Sequence, residues 1–317
     1  VDWLVDRHLR KAVEPRVRAA LRVGAYQLAF LGTPPHAAVG ETVEAAPARA
    51  RSVVNAVLRR VAEDLPPEWP DEATALSYPD WVIEALADAL GPERGRAALE
   101  VMNEAPAVTQ RADGYVQDLA SQWVAELVDV RPGDVVVDLC AGPGGKATAM
   151  RQAAVVVASD VSTARAGLVA ENARRLGAAM VEVLVADGRH PPLPPACADR
   201  VLLDAPCSGL GVLRRRPDAR WRIQPADLGA LAALQRELLD AALVLVRPGG
   251  VVVYSVCTLG RQETVDIDEW LASVHPELEA LPLPGEPWEP VGRGARLLPQ
   301  AAGTDGRQLA RIADEDG

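Results

Sequence analysis

The hydrophobic positions in the first third of the chain recur with a helical period. One apolar stripe repeats at intervals of three and four positions, through Val17, Leu21, Gly24, Leu28 and Leu31. This spacing predicts a helix with one buried face, and Pro34-Pro35 predicts where it ends. The same reasoning predicts further helices over about 36–47, 50–63, 80–90 and 93–103, with Gly91-Pro92 between the last two.

The pattern changes after about residue 118, where short β-branched runs alternate with longer helix-like segments. The five runs are Val135–Leu139, Val155–Ser159, Val181–Val185, Val201–Asp204 and Val251–Ser255. Continuous apolar runs of this length are typical of parallel strands that are buried on both faces. Because the intervening segments are long enough for helices, the sequence predicts a doubly wound α/β sheet. A loop over Pro282–Pro290 and a terminal hairpin are expected to follow.

Prolines divide the helical part of the chain. Three prolines between residues 66 and 70 interrupt the apolar pattern, because proline removes an amide donor and restricts the residue before it. We therefore expect an all-helical domain over residues 1–65, a helical linker segment over 66–116 and the α/β domain over 117–317.

Composition narrows the class of protein. The 317 residues are 49% hydrophobic, which is ample for a core, and no stretch approaches the ~18 uninterrupted apolar residues of a membrane helix. We expect a cytoplasmic monomer with no membrane association. The four cysteines, at 140, 197, 207 and 257, form no C-x-x-C pair. Neither a zinc site nor another metal site is therefore expected, and disulfides are not expected in the cytosol.

The net charge of −11 alone argues against a nucleic-acid partner, but the positive charges are clustered. One segment combines guanidinium groups with an aromatic ring, at Arg214, Arg215, Arg216, Arg220, Trp221 and Arg222. Such a segment suits phosphates and stacked bases, and we expect it to bind RNA. A core position is an equally good explanation of Trp221. A second basic set near the amino terminus is explained equally well by contact with a phosphate backbone and by solvated helix faces.

A glycine-rich turn follows the first predicted strand. Its residues are Asp138, Leu139, Cys140, Ala141, Gly142, Pro143, Gly144, Gly145 and Lys146. Glycines let the backbone approach a ligand closely, and doubly wound folds hold a nucleotide-like cofactor at this edge of the sheet. The turn matches neither the dinucleotide fingerprint nor the P-loop. Residues 140–146 are therefore expected to bind a cofactor of another class.

Carboxylates follow the next strands. Asp160 ends the second predicted strand, where it can accept hydrogen bonds from ribose hydroxyls, and Asp187 follows the third, where it can bind an adenine amino group. Asp204 ends the fourth and is assigned to the same site. A helix cap or a surface charge would explain any one of them. Acids in register after successive strands, behind a loop without phosphate-binding features, favour S-adenosylmethionine over NAD or ATP.

Two cysteines stand at the ends of neighbouring predicted strands. Cys207 lies in Asp204-Ala205-Pro206-Cys207-Ser208-Gly209, and Cys257 lies in Tyr254-Ser255-Val256-Cys257-Thr258. Both thiols are expected beside one pocket, which indicates covalent chemistry. The ordinary role of a small buried apolar residue explains Cys140 and Cys197.

Three segments, Asp138–Lys146, Asp204–Gly209 and Tyr254–Thr258, together resemble the Sun-type RNA cytosine-5 methyltransferases. Leu21–Leu28 and Val54–Arg60 look like the NusB-related domain that is fused to the bacterial ribosomal RNA members of that family. The resemblance implies a partial NusB-like domain, an RNA-binding helical segment and a Rossmann-like S-adenosylmethionine methyltransferase domain.

The chemistry of such an enzyme explains two thiols. C5 of cytosine is too weak a nucleophile to take a methyl group until a thiolate adds at C6, and the C5 proton must later leave before the thiolate is expelled. The resemblance assigns attack to Cys257, proton removal to Cys207 and the N3 side of the base to Asp204. Chemistry alone leaves the order open, because DNA cytosine methyltransferases place their nucleophile in a Pro-Cys pair like Pro206-Cys207. A nearby cation such as Lys146 would lower the pKa of the attacking thiol.

We therefore predict an S-adenosylmethionine-dependent RNA (cytosine-5)-methyltransferase that acts on small-subunit ribosomal RNA. The alternatives are a methyltransferase of the same fold acting on another RNA such as tRNA, and a non-catalytic, antitermination-like RNA-binding adaptor. The chain begins without methionine and lacks about half of the NusB-like domain, as expected of a fragment or a shortened homologue. Arg307 and Gln308 stand where relatives place apolar or aromatic residues, so the last hairpin is expected to fray.

Overall fold

The computed structural model describes residues 1–314 and divides into two compact units, Val1–Ser77 and Tyr78–Gly317. The first unit is helical. Its helices are α1 (Asp2–Asp6), α2 (Pro15–Ala29), α3 (Pro35–Ala45), α4 (Arg51–Glu63) and α5 (Glu72–Leu76). Their apolar faces share one core, with Leu21, Val54 and Leu58 fully buried in it.

Helix α2 is shorter than its apolar stripe predicts. It ends at Ala29, and Leu31 lies beyond it with 61% of its surface exposed. Phe30 already has a non-helical φ of −123°, and Gly32 adopts a left-handed φ of 62°. Because glycine tolerates that conformation, the chain turns before the stripe is complete.

The helices of the second unit flank a large sheet. They are α6 (Asp80–Leu90), α7 (Pro92–Val101), α8 (Leu119–Leu127), α9 (Thr163–Arg175), α10 (Ala219–Arg222), α11 (Pro225–Leu245), α12 (Val265–Val274) and α13 (Pro299–Ala302). The predicted break at Gly91-Pro92 separates α6 from α7, because Pro92 occupies the first position of α7, where its missing amide proton costs no helical hydrogen bond.

Within residues 78–314, nine strands form one mixed sheet. They are β1 (Val135–Asp138), β2 (Val155–Asp160), β3 (Val181–Val185), β4 (Ala198–Asp204), β5 (Val246–Val256), β6 (Leu278–Ala280), β7 (Glu289–Val291), β8 (Gly294–Leu297) and β9 (Arg307–Asp314). The order is β3-β2-β1-β4-β5-β9-β8-β7, with β6 paired to β9. The first five strands are parallel, which confirms the doubly wound fold. The strand order reverses between β1 and β4, the place where such folds bind ligands.

Apolar layers cover both faces of the sheet. Val136 and Val137 are consecutive in β1, yet Val136 belongs to the layer with α8 and α9, and Val137 belongs to the layer with α11 and α12. Side chains alternate between the faces of a strand, so consecutive residues must be apolar when both faces are covered. Packing on both faces holds the strands in place, and with them the strand ends that carry the candidate site.

The expectation of a frayed final hairpin is wrong. Strand β9 begins at Arg307 and pairs with β8 over residues 307–309 and with β5 over residues 308–313. Arg307 is tolerated at this buried position because its guanidinium forms an ion pair with Asp204. Within residues 1–314, no helix has both the length and the apolar character that a bilayer span requires.

Candidate active site

The glycine-rich loop turns away from the end of β1 and lies against β2 and α9. The Ala141 amide donates to the Ser159 carbonyl oxygen at 2.8 Å. A Cβ added to Gly142 would lie 2.5 Å from an Asp160 carboxylate oxygen, and a Cβ on Gly144 would lie 3.1 Å from the Val169 backbone. Gly144 also has a φ of 100°. Glycine is therefore required at both positions for the loop to sit this close to its neighbours.

Asp160 fastens this loop to β2. Its carboxylate accepts hydrogen bonds from the backbone amides of Gly142 at 3.1 Å and Ser162 at 2.9 Å. Arg165, in the first turn of α9, contacts the same carboxylate at 3.1 Å and donates to the Gly142 carbonyl oxygen at 2.7 Å. The sequence analysis did not assign Arg165 to the site. Its position could have indicated this role, because it lies in the first turn of the helix that follows a strand ending in aspartate.

The remaining loop residues are also anchored. The Pro143 carbonyl oxygen accepts from the Asn172 side chain at 2.9 Å, and Gly145 accepts from the Arg111 guanidinium. Ala141 is buried, and Cys140 is partly buried with its thiol pKa raised by that burial. The loop is therefore a rigid cradle made largely of backbone.

The three other carboxylates near this edge differ in their electrostatics. Asp187 is paired with Arg189 at 2.6 Å, whose hydrogen bonds lower the Asp187 pKa to about 2. Burial raises the pKa of Asp138 to about 7. Asp138 Oδ1 is buried and makes no hydrogen bond within the described residues. Burial opposes ionisation of Asp204, but Lys146 and Arg307 outweigh it and lower the Asp204 pKa to about 2.

The two thiols predicted to share a pocket lie in contact. The Sγ atoms of Cys207 and Cys257 are 3.2 Å apart, and both cysteines are free. The Ala205 amide donates to the Ser255 carbonyl oxygen at 2.8 Å, so the chain segments that carry the cysteines leave the sheet side by side. A hydrogen bond from Cys207 lowers the pKa of Cys257, against the effect of burial, while the same contact and burial raise the pKa of Cys207.

Asp204 lies between two cations beside the thiols. Lys146 Nζ donates to one carboxylate oxygen at 2.5 Å, and Arg307 Nη1 donates to the other at 2.9 Å. Lys146 contacts Asp204 and acts on the Cys257 thiol electrostatically. Its lowering effect on the Cys257 pKa is smaller than that of Arg307, which sequence reasoning did not assign to the site.

A buried carboxylate underlies both cysteine segments. Glu263 is completely buried and accepts hydrogen bonds from the Ser208 amide at 2.9 Å, the Ser208 hydroxyl at 2.5 Å and the Gln235 amide at 3.0 Å. Ser208 also bonds the Thr258 hydroxyl at 2.8 Å. Because Ser208 follows Cys207 and Thr258 follows Cys257, this network fixes the two thiols relative to each other. Nothing in the local sequence around Glu263 indicated this role.

The predicted RNA-binding segment divides into members that are partly or fully buried and members that are exposed. Arg214 and Arg215 form ion pairs with Asp305 at 3.2 and 3.0 Å. The Arg220 guanidinium lies 4.0 Å from the centre of the Tyr78 ring. The exposed members are Arg216, Trp221 and Arg222. Trp221 is 58% exposed, so it is not a core residue.

Comparison with known proteins places this geometry in a family. The family model described as 16S rRNA methyltransferase RsmB/F matches residues 125–313, more than half of the chain. The chain belongs to the RsmB/F methyltransferase family. The NusB family model matches residues 1–63. The resemblance that the sequence motifs indicated is thereby confirmed, for the catalytic domain and for the helical domain that precedes it.

Relatives of this RsmB/F chain align over nearly its whole length. A methyltransferase of Mycobacterium tuberculosis (strain H37Rv) is 40% identical over 381 aligned positions, which cover 95% of this chain and 81% of the relative. The ribosomal RNA small subunit methyltransferase B of Erwinia tasmaniensis is 32% identical, with 99% and 87% covered.

Solved structures agree with this placement. The crystal structure of PH0851 has a TM-score of 0.78 and 25% identity, and the match covers 95% of this chain and 83% of that one. NSun6 from Pyrococcus horikoshii, crystallised with SFG, has a TM-score of 0.56 and 30% identity over 63% of this chain and 53% of that one.

Members of the RsmB/F family depend on S-adenosylmethionine, and the residues of this site fit that cofactor. S-adenosylmethionine carries a sulfonium, an ammonium group and two ribose hydroxyls, so it needs anionic and acceptor groups. The unpaired, buried Oδ1 of Asp138 and the Asp160 carboxylate beside the glycine cradle supply such groups. The cofactor prediction is confirmed at the level of the family. The individual binding residues stay predictions.

Proposed function

We propose that this chain transfers a methyl group from S-adenosylmethionine to C5 of a cytosine in RNA, through a covalent bond between Cys257 and C6. The observation that carries the proposal is the 3.2 Å contact between two free thiols at the ends of β4 and β5, beside an ionised Asp204. A pair of thiols is what cytosine C5 chemistry requires, because one must attack and another group must remove a proton.

The opposite pKa shifts support the assignment of roles. With its pKa lowered, Cys257 is the thiol that ionises first, and Cys207 keeps its proton. The Cys257 thiolate adds to C6, and the electron pair of the C5–C6 double bond becomes available at C5. S-adenosylmethionine supplies an electrophilic methyl group for that carbon. The cofactor residues proposed to hold it are the 140–146 loop, Asp160, Asp187 and Asp204, with Asp138 as an added acceptor.

Resolution of the adduct falls to Cys207. Once Cys257 is a thioether, its sulfur no longer carries the charge that raises the Cys207 pKa, so Cys207 can release its own proton to solvent water. The Cys207 thiolate then accepts the proton from C5, and the proton given to water is the one net proton that the methyl transfer releases. The electron pair of the C5–H bond re-forms the double bond, the C6–sulfur bond breaks, and Cys257 leaves as a thiolate. Asp204, ionised between two cations, is proposed to hold the N3 side of the base, where it can accept a hydrogen bond from the neighbouring 4-amino group.

The RNA surface is proposed to be the exposed part of the basic segment. Trp221 is exposed, as are Arg216 and Arg222 of the same segment, and a base that stacks on an exposed ring is held without sequence readout. We propose small-subunit ribosomal RNA as the substrate, because a relative at 32% identity over nearly the whole chain is named for it. Cytoplasmic action and the role of residues 66–116 as an RNA-binding linker belong to the same proposal.

The test uses single cysteine variants and a target transcript. Cys257→Ala is expected to form no protein–RNA adduct, whereas Cys207→Ala is expected to accumulate one, because attack proceeds and resolution does not. Adducts are counted by denaturing electrophoresis and located by mass spectrometry. Cys197→Ala is the matched control, because Cys197 precedes β4 whereas Cys207 follows the other end of that strand, and it should keep full methyl transfer.

Each other outcome has a defined meaning. An adduct with Cys257→Ala and none with Cys207→Ala would reverse the two roles. RNA binding without methyl incorporation by the unaltered protein, in a preparation that binds S-adenosylmethionine, would favour the adaptor. Bisulfite sequencing of ribosomal RNA from a deletion strain identifies the target, because one protected position disappears.

A further inference from the structure

Arg307 lies at the point where β9 meets the end of β5. In the antiparallel register Val251 faces Ala313 and Val256 faces Gln308. Arg307 begins β9 one position beyond the last of these pairs, where it faces Leu297 of β8. The side chain of Arg307 is only 6% exposed, so its charge is buried in the protein.

The Arg307 guanidinium is held by hydrogen bonds from both of its terminal nitrogens. Its Nη1 donates to Asp204 at 2.9 Å and to the Ser255 hydroxyl at 3.2 Å, and its Nη2 donates to the Ser121 hydroxyl at 2.6 Å. The Nε atom is buried and makes no hydrogen bond within the described residues. A buried guanidinium needs a nearby negative charge, because desolvation of an uncompensated ion is costly.

The charges around Asp204 leave one positive charge in excess. Asp204 has one negative charge, and it contacts two cations, Lys146 and Arg307. The groups beside this cluster whose ionisation can supply a second negative charge are Cys257 and Asp138. Lys146 is the cation that acts on Asp138, and Arg307 is the cation that acts most strongly on Cys257, so Cys257 is the counterpart of Arg307.

We propose that Arg307 is a positioning residue that holds Asp204 in place and compensates the negative charge of the Cys257 thiolate. The proposal rests on the proposed function only in taking Cys257 as the nucleophile. The electrostatic effects agree with it: after the hydrogen bond from Cys207, Arg307 is the largest influence that lowers the Cys257 pKa. The titratable and charged groups that face the pair from the surrounding elements are Cys207, Asp204, Lys146, Asp138, Tyr254 and Glu263.

The experiment measures the ionisation of Cys257 directly. The full chain, without RNA, is treated with iodoacetamide across a pH series, and the rate at Cys257 is followed by peptide mass spectrometry. Arg307→Gln is expected to move the midpoint upward by about one pH unit, which is about a tenfold loss of thiolate at a fixed pH below the midpoint. Arg307→Lys keeps the charge and should keep most of the shift.

Arg311→Gln is the matched control. Arg311 is on the same strand and the same face, but its ion pair is with Asp129 at 3.9 Å, so its removal should leave the Cys257 midpoint in place. An unmoved midpoint in Arg307→Gln, or an equal shift in Arg311→Gln, overturns the proposal. If Arg307→Gln does not fold, the same titration is done on the unaltered protein. A Cys257 midpoint at or above that of an ordinary cysteine then overturns the proposal.

These readouts separate the two proposals. If the midpoint shifts as expected but Cys257→Ala still forms an RNA adduct, then Arg307 tunes the thiol and the proposed catalytic role of Cys257 is wrong. If the adduct requires Cys257 and the midpoint does not shift, only the role of Arg307 is wrong.

Discussion

The two halves of the sheet edge are held together in different ways. The cofactor half consists of the loop after β1 and Asp160 after β2, and its central contact joins the Gly142 amide to Asp160, 18 residues away. The thiol half consists of the ends of β4 and β5 with the two cysteines. Its contacts join Ser208 to Glu263 and Asp204 to Arg307, across 55 and 103 residues.

Because their contacts differ in range, the two halves should respond differently to substitution. The cofactor half is a local turn whose backbone is shaped by glycines, so damage there should appear first in ligand affinity. The thiol half is a buried polar network, in which each group needs its partner because an unpaired polar atom in a low-dielectric interior is costly. Damage there should appear first in the stability of the fold.

The largest expected effect comes from Glu263→Ala. The substitution leaves the Ser208 amide and hydroxyl and the Gln235 amide without their shared acceptor in a fully buried site. We expect the free energy of unfolding to fall by about 3 kcal/mol or more, measured by urea denaturation followed by circular dichroism. Glu171→Ala, at an exposed position on α9, should change it by less than about 0.5 kcal/mol. Equal losses in both variants would show that the network has no special role.

In the cofactor half we expect Gly142→Ala to weaken S-adenosylmethionine binding by about tenfold or more, equivalent to roughly 1.4 kcal/mol. Its Cβ would lie 2.5 Å from the Asp160 carboxylate and 2.7 Å from Arg165, so the loop must move away from β2. The measurement is titration calorimetry with the cofactor. Gly167→Ala on α9 meets nothing within 4 Å and should leave binding unchanged. If Gly142→Ala binds as tightly as the unaltered protein, the loop does not form the cofactor cradle.

The same contrast explains what the sequence could predict. The five parallel strands, the glycine loop and the neighbouring thiols were predictable, because runs of β-branched residues and short motifs report local structure. Glu263 and Arg307 were not assigned to the site, since each acts on a residue at least 55 positions away. The frayed hairpin was predicted wrongly for the same reason: a charged residue at a strand position looks unfavourable until its buried partner is known.

Trp221 contrasts with the buried thiol half of the site. It follows the thiol motif in sequence, yet 58% of its surface is exposed. We expect Trp221→Ala to weaken RNA binding by about fivefold, on the order of 1 kcal/mol for the loss of one stacked base, with the free energy of unfolding unchanged. Filter binding with a target transcript measures the first quantity. Arg220→Gln is the contrasting variant, since Arg220 lies over the Tyr78 ring and its loss should lower stability. Unchanged RNA affinity in Trp221→Ala would remove this ring from the proposed RNA surface.

The smallest expected effect is a pH dependence within the thiol half. Burial raises the pKa of Glu263 above its ordinary 4.5, although Ser208 and Gln235 donate hydrogen bonds to the carboxylate. A carboxyl group with a raised folded-state pKa binds more protons in the folded state than in the unfolded one. It therefore stabilises the fold fully below its unfolded-state pKa, and this contribution is lost as the pH rises through the folded-state pKa.

Glu263→Gln isolates this contribution, because glutamine does not titrate and keeps nearly the same volume. The difference in unfolding free energy between the unaltered protein and Glu263→Gln should shift in favour of the unaltered protein as the pH falls from about 8 to about 5, by up to about 1 kcal/mol. Urea denaturation at each pH measures it. Other carboxylates, such as Asp204, titrate in both proteins and cancel in the difference. A difference that moves in the opposite direction would mean that the hydrogen bonds to Glu263 outweigh its burial, and that this carboxylate is ionised in the folded protein more readily than in the unfolded chain.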